Sequence, residues 1–315
     1  MTLTQLGAFV LVARLGSVRA AAQVLGVSEP AVSQTLAALR KHLDDELIVR
    51  GASGMTLTDG GQRLITIASQ MVALGAEAES AVRAAQGAPE HLRVIASSEI
   101  AELVAPNLVD AFTAKVGGVE VSLGVASTAE MPVLVQSRMA DVALGPPIER
   151  TPGIVSEAMM RCHLLVVAAP SMGPAISSER LASMPWLVDP GGADPSSPVG
   201  RLLEAWKVPE SRIEVFPSQA AAWAAAAGGQ GVAPAVAHLV APELRQGRLR
   251  PIDLPGLPLE LHWHITSLAP DRRTRAASSF HRFALTPQAM HLMHDPRSGV
   301  PPSRFRPPVY VTIWS

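Results

Sequence analysis

Apolar residues recur at helical spacing through the first part of the chain and predict three helices. The first carries an apolar residue every three or four positions from Leu3 to Ala13. Serines of the type that caps a helix N-terminus precede the two others, at Ser17 and Ser28. On the third helix, the spacing predicts a buried stripe formed by Val32, Leu36, Leu39 and Leu43.

The next segment predicts a β-hairpin and then a long helix. Ile48-Val49 and the run 55–57 flank a turn bounded by glycines, which is typical of a short hairpin. Residues 62–86 contain no proline and carry a heptad-like apolar seam, whose main members are Leu64, Ile67, Met71 and Leu74. A helix of this length cannot bury its seam on the small N-terminal unit, so we expect the seam to form a dimer interface.

From residue 91 onward, apolar runs of strand length alternate with helical patterns. The first predicted strands are 92–96, 119–125 and 141–144, and helical segments separate them. Strands linked by helices imply right-handed crossovers and a parallel sheet. Two such series, before and after about residue 166, predict an α/β fold with two lobes.

Composition narrows the class of protein. The chain has 315 residues, 48% of them hydrophobic, which suits about two domains with sizeable cores. A net charge of −1 gives no overall attraction to nucleic acid or membrane, and one cysteine excludes a disulfide framework. The uncharged stretch 215–242 is alanine-rich and broken by glycine and proline, so we expect buried core there rather than a membrane span. With no secretory signal pattern, the sequence predicts a soluble cytoplasmic protein.

The outward face of the predicted third helix is the first candidate site. Opposite the leucine stripe lie polar or small residues, namely Glu29, Pro30, Ser33, Gln34, Ala37 and Lys41. Such a face suits the major groove of DNA, where base edges offer hydrogen-bond donors and acceptors. Any three-helix unit also presents a polar outer face, so this face alone does not separate DNA binding from simple solvation.

Many positions in the first 60 residues together resemble the N-terminal signature of LysR-type transcriptional regulators. They are Leu3-Thr-Gln-Leu6, Phe9, Gly16-Ser17, Ala21-Ala22, Leu25, Val27-Ser28, Pro30-Ala31-Val32-Ser33, Leu39, Leu47, Arg50, Leu57-Thr58 and Gly61. Farther along, Asp141-Val-Ala-Leu144 and Gly229-Gln-Gly-Val232 look like patterns of the same family. The rest of the chain resembles the family by architecture, with a linker helix followed by two α/β subdomains.

The resemblance implies a DNA partner and a set of contacts. Ser28 to Ala38 would form the recognition helix of a winged helix-turn-helix, and Arg50 would lie on the wing near phosphate. Glu29 stands where the family usually has glutamine, which opens a contact to a cytosine amino group. Residues 1–63 carry six basic and five acidic side chains, so tight binding needs several copies on one DNA. We therefore expect a homodimer or homotetramer on an inverted-repeat operator of double-stranded DNA.

The expected domain order combines the pattern with the resemblance. It is an all-α winged helix-turn-helix DNA-binding domain at 1–60, a linker and dimerisation helix at 61–89, an effector-binding domain at 90–290 and a Pro/Arg-rich tail at 291–315. Subdomain I would comprise about 90–165 and 268–290, and subdomain II about 166–267. Both are expected to be Rossmann-like α/β units, as in periplasmic binding proteins.

A second candidate site lies where strands of the two lobes end. In open α/β sheets, ligands bind beyond the carboxyl ends of strands, near helix N-termini that attract anions. The residues at those positions are Ser97, Ser98, Ser127 and Thr128 in one lobe and Pro190, Gly191, Gly192 and Ser218 in the other. Each hydroxyl alone suits a simple helix cap, but four converging loops favour a pocket. The resemblance implies a small effector, often an organic acid, while the lack of Arg or Lys in these turns leaves an uncharged or weakly anionic ligand open.

Patterns typical of enzymes are weak. The pairs His262/His264 and His291/His294 have spacings that suit a metal, but no set of Cys, Asp and Glu ligands accompanies them. Cys162, expected between two strands, suits a core position better than a redox sensor. We predict no catalytic residue, cofactor or metal, and a transcriptional regulator modulated by a small-molecule effector between two lobes. The alternative is a ligand-binding protein or enzyme with an accessory helical module.

Overall fold

The computed structural model describes residues 1–51, 54–172, 181, 183–254 and 256–294. The predicted Pro/Arg-rich tail lies outside these residues except for 291–294, which belong to a helix. The N-terminal unit contains three helices and a hairpin, with the bounds α1 Leu3–Leu15, α2 Val18–Leu25, α3 Glu29–Leu43, β1 Ile48–Gly51 and β2 Gly54–Leu57. The three helices and the hairpin predicted from the sequence are therefore confirmed.

Local capping explains where these helices begin and end. The hydroxyl oxygen of Ser17 accepts a hydrogen bond from the backbone N–H of Ala20 at 3.2 Å, and that of Ser28 accepts one from Ala31 at 3.4 Å. Gly26 ends α2 with a φ of 64°, a left-handed conformation that favours glycine. The turn between α2 and α3 is thus fixed by short-range signals.

A long helix and two α/β lobes follow. Helix α4 runs over Asp59–Ala85 and confirms the predicted linker helix. The elements of the first lobe are β3 Glu90–Ala96, α5 Ser98–Leu103, α6 Ala105–Lys115, β4 Val119–Val125, α7 Glu130–Gln136 and β5 Val142–Gly145. Those of the second lobe are β7 Trp186–Val188, α8 Pro198–Ala205, β8 Ile213–Val215, α9 Gln219–Ala227, β9 Ala233–Val236, α10 Ala241–Arg245 and β10 Arg250–Pro251. Strands β6 Ile154–Ala168 and β11 Leu259–Leu268 run through both lobes, and helices α11 Arg275–Ala284 and α12 Pro287–His294 return to the first.

The largest sheet is mixed rather than parallel. Its strand order is β10-β6-β11-β5-β3-β4, and β9 also pairs with β6. Strand β3 is parallel to β4 and to β5, as helical crossovers require. Strands β6 and β11 are antiparallel to each other, and β11 is antiparallel to β5. The expectation of a parallel sheet was therefore wrong for this central pair.

Strand β6 is one continuous strand, although two shorter strands were expected. Cys162 therefore lies within a strand, not between two, and it is buried. In both strands the passage between lobes also lies before the subdomain boundaries expected near residues 166 and 268. Thr266 pairs with Ala143 of the first lobe, whereas Leu164 pairs with Val236 of the second. The chain thus passes between lobes inside β6 and β11, where a register irregularity lies after residue 263.

Helix α1 joins the N-terminal unit to the first lobe. Its apolar residues share one buried cluster with α2, α3, α4 and α7. The Cβ position of Gly7 lies 3.5 Å from the terminal methyl of Met139, an ordinary contact distance that shows how closely α1 approaches the segment after α7. The Arg14 guanidinium donates a hydrogen bond to the side-chain oxygen of Gln136 on α7 and another to Ser69 on α4. The winged unit, the long helix and the first lobe therefore pack as one body.

A partly buried ion pair connects β3 to the residue that precedes β5 in the first lobe. The Arg93 guanidinium on β3 donates to both carboxylate oxygens of Asp141, at 3.0 and 2.9 Å, and the backbone N–H of Arg93 donates to the same group at 2.8 Å. Bidentate geometry of this kind gives the strongest charged hydrogen bonds. The pair fixes the start of β5 beside β3, and so the position of the strand ends that face the second lobe.

We predict that Asp141→Asn lowers the free energy of unfolding by about 2 kcal/mol, because Arg93 then keeps a charge without its carboxylate. Urea unfolding followed by circular dichroism measures the change. The matched control is Asp253→Asn, at an exposed aspartate of the second lobe, which we expect to leave stability within about 0.5 kcal/mol of the parent. Equal stability of the two variants would contradict a structural role for the pair.

Candidate nucleic-acid interface and ligand cavity

Helix α3 has one buried face and one exposed face. Val32, Leu36 and Leu39 are at most 4% exposed and pack into the core of the N-terminal unit. Leu43, expected in the same stripe, is 37% exposed. The predicted stripe is therefore wrong at its last position, because the helix ends there and Asp44 turns the chain away with a φ of 52°.

The predicted DNA-contacting residues all lie on the surface. They are Ser28, Glu29, Pro30, Ser33, Gln34, Ala37 and Lys41 on α3 or its cap, and Arg50 on β1. Within the described residues, neither Lys41 nor Arg50 forms an ion pair, which leaves both cations available for phosphate.

An arginine inside the winged unit fixes the hairpin beside α3. The Arg40 guanidinium donates a hydrogen bond to the carbonyl oxygen of Ile48 at 2.9 Å and lies 3.6 Å from the carboxylate of Glu46. Asp45 accepts hydrogen bonds from the Leu47 N–H and the Thr58 hydroxyl, both at 2.7 Å, and these bonds lower the pKa of its carboxyl. Arg40 and Asp45 thus set the wing, with Arg50, at a defined place relative to the exposed face of α3.

A cavity of about 290 Å³ lies between the two lobes, at the carboxyl ends of β3, β4 and β7. The predicted effector residues that line it are Ser97, Ser98, Ser127, Thr128, Pro190, Gly191 and Gly192. Both lobes therefore contribute to its wall, as expected for a cleft at a switch in strand order. Its apolar wall includes Leu164 and Trp223.

Ser218 does not line this cavity. Its hydroxyl caps α9 by accepting a hydrogen bond from the Ala221 N–H at 3.2 Å. Glu102 of the first lobe occupies the same helix start, because its two carboxylate oxygens accept the N–H groups of Gln219 at 3.0 Å and Ala220 at 3.3 Å. In this structure a carboxylate of the chain already takes the backbone donors beside Ser218.

The second helix of the winged unit reaches the rim of the cavity. Gln23 and Val24 of α2 line it together with Ser127 and Thr128 of the first lobe. Val24 is buried and Gln23 is exposed. A ligand in the cavity would therefore lie next to the helix that precedes α3.

Comparison with known proteins decides the family. A family model described as LysR substrate binding domain matches residues 85–287, and one described as bacterial regulatory helix-turn-helix protein, lysR family, matches residues 3–62. An uncharacterized HTH-type transcriptional regulator of Mycobacterium tuberculosis is 36% identical over 322 aligned positions that cover 100% of both chains. The chain belongs to the LysR family of bacterial transcriptional regulators.

More distant relatives agree with this assignment. The HTH-type transcriptional regulator CfxR of Cupriavidus necator is 26% identical, over 96% of this chain and 97% of its own length. Among solved structures, the LysR family regulator CbnR is 21% identical and covers 94% of this chain and 100% of its own, with a TM-score of 0.52. LysG from Corynebacterium glutamicum with bound effector Arg has the same identity and TM-score and covers 90% of this chain and 97% of its own. At this identity the two structures indicate the shared fold.

Membership of the LysR family resolves the choice that the residues alone left open. The chain is a DNA-binding transcriptional regulator with an effector-binding domain, and it is not an enzyme with an accessory helical module. Two Rossmann-like α/β lobes follow a winged helix-turn-helix and a linker helix, as the resemblance implied. The cavity between the lobes therefore lies in the substrate-binding domain of a LysR regulator.

Four carboxylates in this cavity were not anticipated from the sequence. They belong to Glu99, Glu130, Asp189 and Asp194. The Ser98 hydroxyl of the first lobe donates a hydrogen bond to Asp189 of the second, so the pair connects the lobes across the cleft. The sequence does contain a signal for them, because Asp189 directly follows β7 and Glu99 follows the two serines after β3.

Burial strongly perturbs two carboxyl groups at the cleft. Burial, and then the neighbouring charge of Asp189, raises the pKa of Glu99 to about 7. Burial also raises the pKa of Glu102, although the N–H groups of Gln219 and Ala220 act in the opposite direction. Negative charge at the cleft of this LysR regulator therefore carries an electrostatic cost when no cation is bound.

The enzyme-like features have ordinary structural roles in the LysR fold. Burial raises the pKa of the Cys162 thiol to about 12, so the reactive thiolate is scarce near neutral pH. His264 shares a hydrogen bond with Ser156, and His262 lies 3.7 Å from Glu260. Over the described ranges, no cluster of His, Cys, Asp and Glu could hold a metal ion. None of the helices that the structure describes combines the length and apolarity of a membrane span.

Proposed function

We propose that this LysR regulator binds an inverted-repeat operator in the cytoplasm through α3, as a homodimer or homotetramer, and that an effector in the cleft modulates this binding. The main observation that supports this DNA contact is the exposed polar face of α3, which lies opposite its buried apolar face. Ser28 and Pro30 begin the helix, and its exposed side chains between Glu29 and Lys41 face the major groove and its phosphates. Solved structures of CbnR and of Vibrio fischeri DarR contain DNA, which supports the same partner here.

The contacts divide into base reading and phosphate binding. Gln34 and Ser33 lie near the middle of the exposed face, where hydrogen-bonding groups suit base edges. Lys41 at the end of α3 and Arg50 on the wing are free cations that suit phosphate. Because a single winged unit carries almost balanced charge, affinity depends on two or more units binding one operator.

The proposed dimer forms through the exposed seam of α4. Ile67 is 53% exposed, Met71 37% and Leu74 63%, which is unusual for large apolar side chains on one helix face. Leu64 packs partly against the core of its own chain, so it contributes less to the partner contact. A second copy of α4 would remove the other three side chains from water.

The effector would act by changing how the lobes close. Ser98 and Asp189 already connect the lobes, and a ligand between them can shift closure only by its differential affinity for closed and open forms. Helix α1 ties the winged unit to the first lobe, and α2 lies at the rim of the cavity. Closure would therefore change where the two recognition helices lie in the dimer.

Footprinting of the purified protein on DNA flanking its own gene, with and without metabolite extract, tests this proposal. We expect a protected site with inverted-repeat symmetry, and a change in protection when extract is added. Absence of any sequence-specific protection would contradict the proposed DNA contact.

We predict that Gln34→Ala weakens binding to the protected operator by about 1–3 kcal/mol while leaving the fold intact, because it removes contacts to base edges. Arg50→Ala should instead weaken binding to all DNA sequences and flatten its salt dependence, since it removes a phosphate contact. Fluorescence anisotropy with operator and scrambled duplexes, at two salt concentrations, separates the two effects. Parent-like operator affinity of Gln34→Ala would place α3 outside the groove.

We predict that Leu74→Asp shifts the protein towards monomer and weakens operator binding, because a carboxylate in a dry apolar contact costs several kcal/mol. Size-exclusion chromatography with light scattering measures the mass. Thr66→Asp, at an exposed position of α4 outside the seam, is the matched control and should keep the parent mass. If both variants keep it, the seam is not the interface.

A further inference from the structure

The ligand cavity contains acidic side chains and no basic ones. Among the described residues that line it, there are four carboxylates, on Glu99, Glu130, Asp189 and Asp194, and neither lysine nor arginine. Asp189 is only 2% exposed. No Lys, Arg or His nitrogen in the described part of the chain lies within salt-bridge distance of Asp189 or Glu99.

Among the described residues, the carboxylates of Asp189 and Glu99 have only neutral hydrogen-bond partners. Asp189 accepts hydrogen bonds from the Gly192 N–H at 3.0 Å and from the Ser98 hydroxyl, and Glu99 accepts one from the Ser97 hydroxyl at 2.9 Å. Neutral donors offset only part of the cost of removing a carboxylate from water. Because Glu99 and Asp189 come from opposite lobes, their repulsion also opposes closure of the cleft. A bound cation would remove both penalties.

Three of the helix starts at the cleft are already occupied by carboxylates of the chain. The N-terminus of α9 holds the carboxylate of Glu102, as described above. At the start of α7, Glu130 accepts the N–H and hydroxyl of Ser127, both at 2.8 Å. At the start of α5, Glu99 accepts the Ser97 hydroxyl. Helix N-termini normally attract negative ligands, but these three carry a negative group of the chain.

The remaining wall of the cavity is apolar. Its residues include Val125, Leu164, Trp223, Val236 and Leu261. The cavity volume of about 290 Å³ suits a small ligand. An apolar part of such a ligand would contact these side chains. Among the polar groups of the lining, Asp189 and Glu99 lie close enough for the charge of Asp189 to act on Glu99.

We infer that the effector is a small organic cation, an amine or guanidine with a short apolar body, whose positive group binds between Asp189 and Glu99. This inference rests on the proposed function, since it takes the cavity to be the effector site. The cation would pair with a carboxylate of each lobe and so favour the closed cleft.

Calorimetric titration of the full chain with butylguanidine, butylamine, butanol and butanoate tests the charge preference, because the four probes share one apolar body. We expect both cations to bind and butanol and butanoate to bind much more weakly. Asp189→Asn and Glu99→Gln should each weaken butylguanidine binding about tenfold or more, since each removes a charged hydrogen bond. Asp253→Asn, an exposed carboxylate of the second lobe outside the cavity, should bind it like the parent.

Three outcomes would overturn the inference: tighter binding of butanoate than of the cations, unchanged butylguanidine binding in both cavity variants, or no saturable binding of either cation at millimolar concentration. Circular dichroism of each variant verifies that it is folded. Measuring operator binding of the same parent sample distinguishes failure of the cation inference from failure of the proposed DNA-binding function. A parent that binds operator but no cation has another class of effector, whereas a parent that binds no operator contradicts the proposed function.

Discussion

The antiparallel pairing of β6 with β11 is the constraint that joins the two lobes of the effector-binding domain. The two strands pair from Leu259 opposite Leu164 to Leu268 opposite Ile154. One end of the pair adjoins β5 of the first lobe, and the other adjoins β9 and β10 of the second. Because backbone hydrogen bonds resist sliding, the lobes can move relative to each other mainly by bending these strands. The irregularity after Trp263 is the natural place for such a bend.

A second constraint links the β6–β11 pair to the DNA-contacting face of α3. Helix α1 contributes to a core that includes α3, α4 and α7, so the winged unit follows the first lobe as one body. Across the cleft, Ser98 bonds to Asp189 and Glu102 to the start of α9. The same few contacts therefore set both the shape of the cavity and the orientation of the recognition helix relative to the second lobe. The proposed function therefore couples ligand binding to DNA binding through the relative position of the lobes.

Short-range signals in the sequence predicted much of this structure. Serine caps and apolar spacing located α2, α3 and the buried face formed by Val32, Leu36 and Leu39, because those interactions join residues a few positions apart. The rule for strand ends in α/β sheets located all the predicted cavity residues except Ser218. Long-range contacts could not be predicted in this way. Glu102 reaches a helix start more than a hundred residues later, and no spacing rule connects the two.

The negative charge of the cavity lining could not be predicted from the sequence, for a physical reason. A serine after a strand is read locally as a cap or ligand contact, whereas the effect of a carboxylate depends on which other charges share its enclosure. Only the fold brings Glu99 and Asp189 together and keeps the described lysine and arginine side chains out of salt-bridge distance of both. The family resemblance favoured an organic acid, and the arrangement of these carboxylates favours the opposite charge.

A disulfide across the cleft tests most directly whether lobe closure controls DNA binding. The Cβ position on Gly191 lies 3.4 Å from the Cβ of Ser98, which is close to the separation in natural disulfides, and the buried Cys162 is not positioned to interfere. Operator affinity of the Ser98→Cys/Gly191→Cys variant would be measured by anisotropy in its oxidised and reduced forms, with each single variant as control. A coupling of about 1–3 kcal/mol predicts that locking the lobes changes the operator Kd about fivefold or more. Equal affinity of the two forms would contradict the coupling of the cleft to DNA.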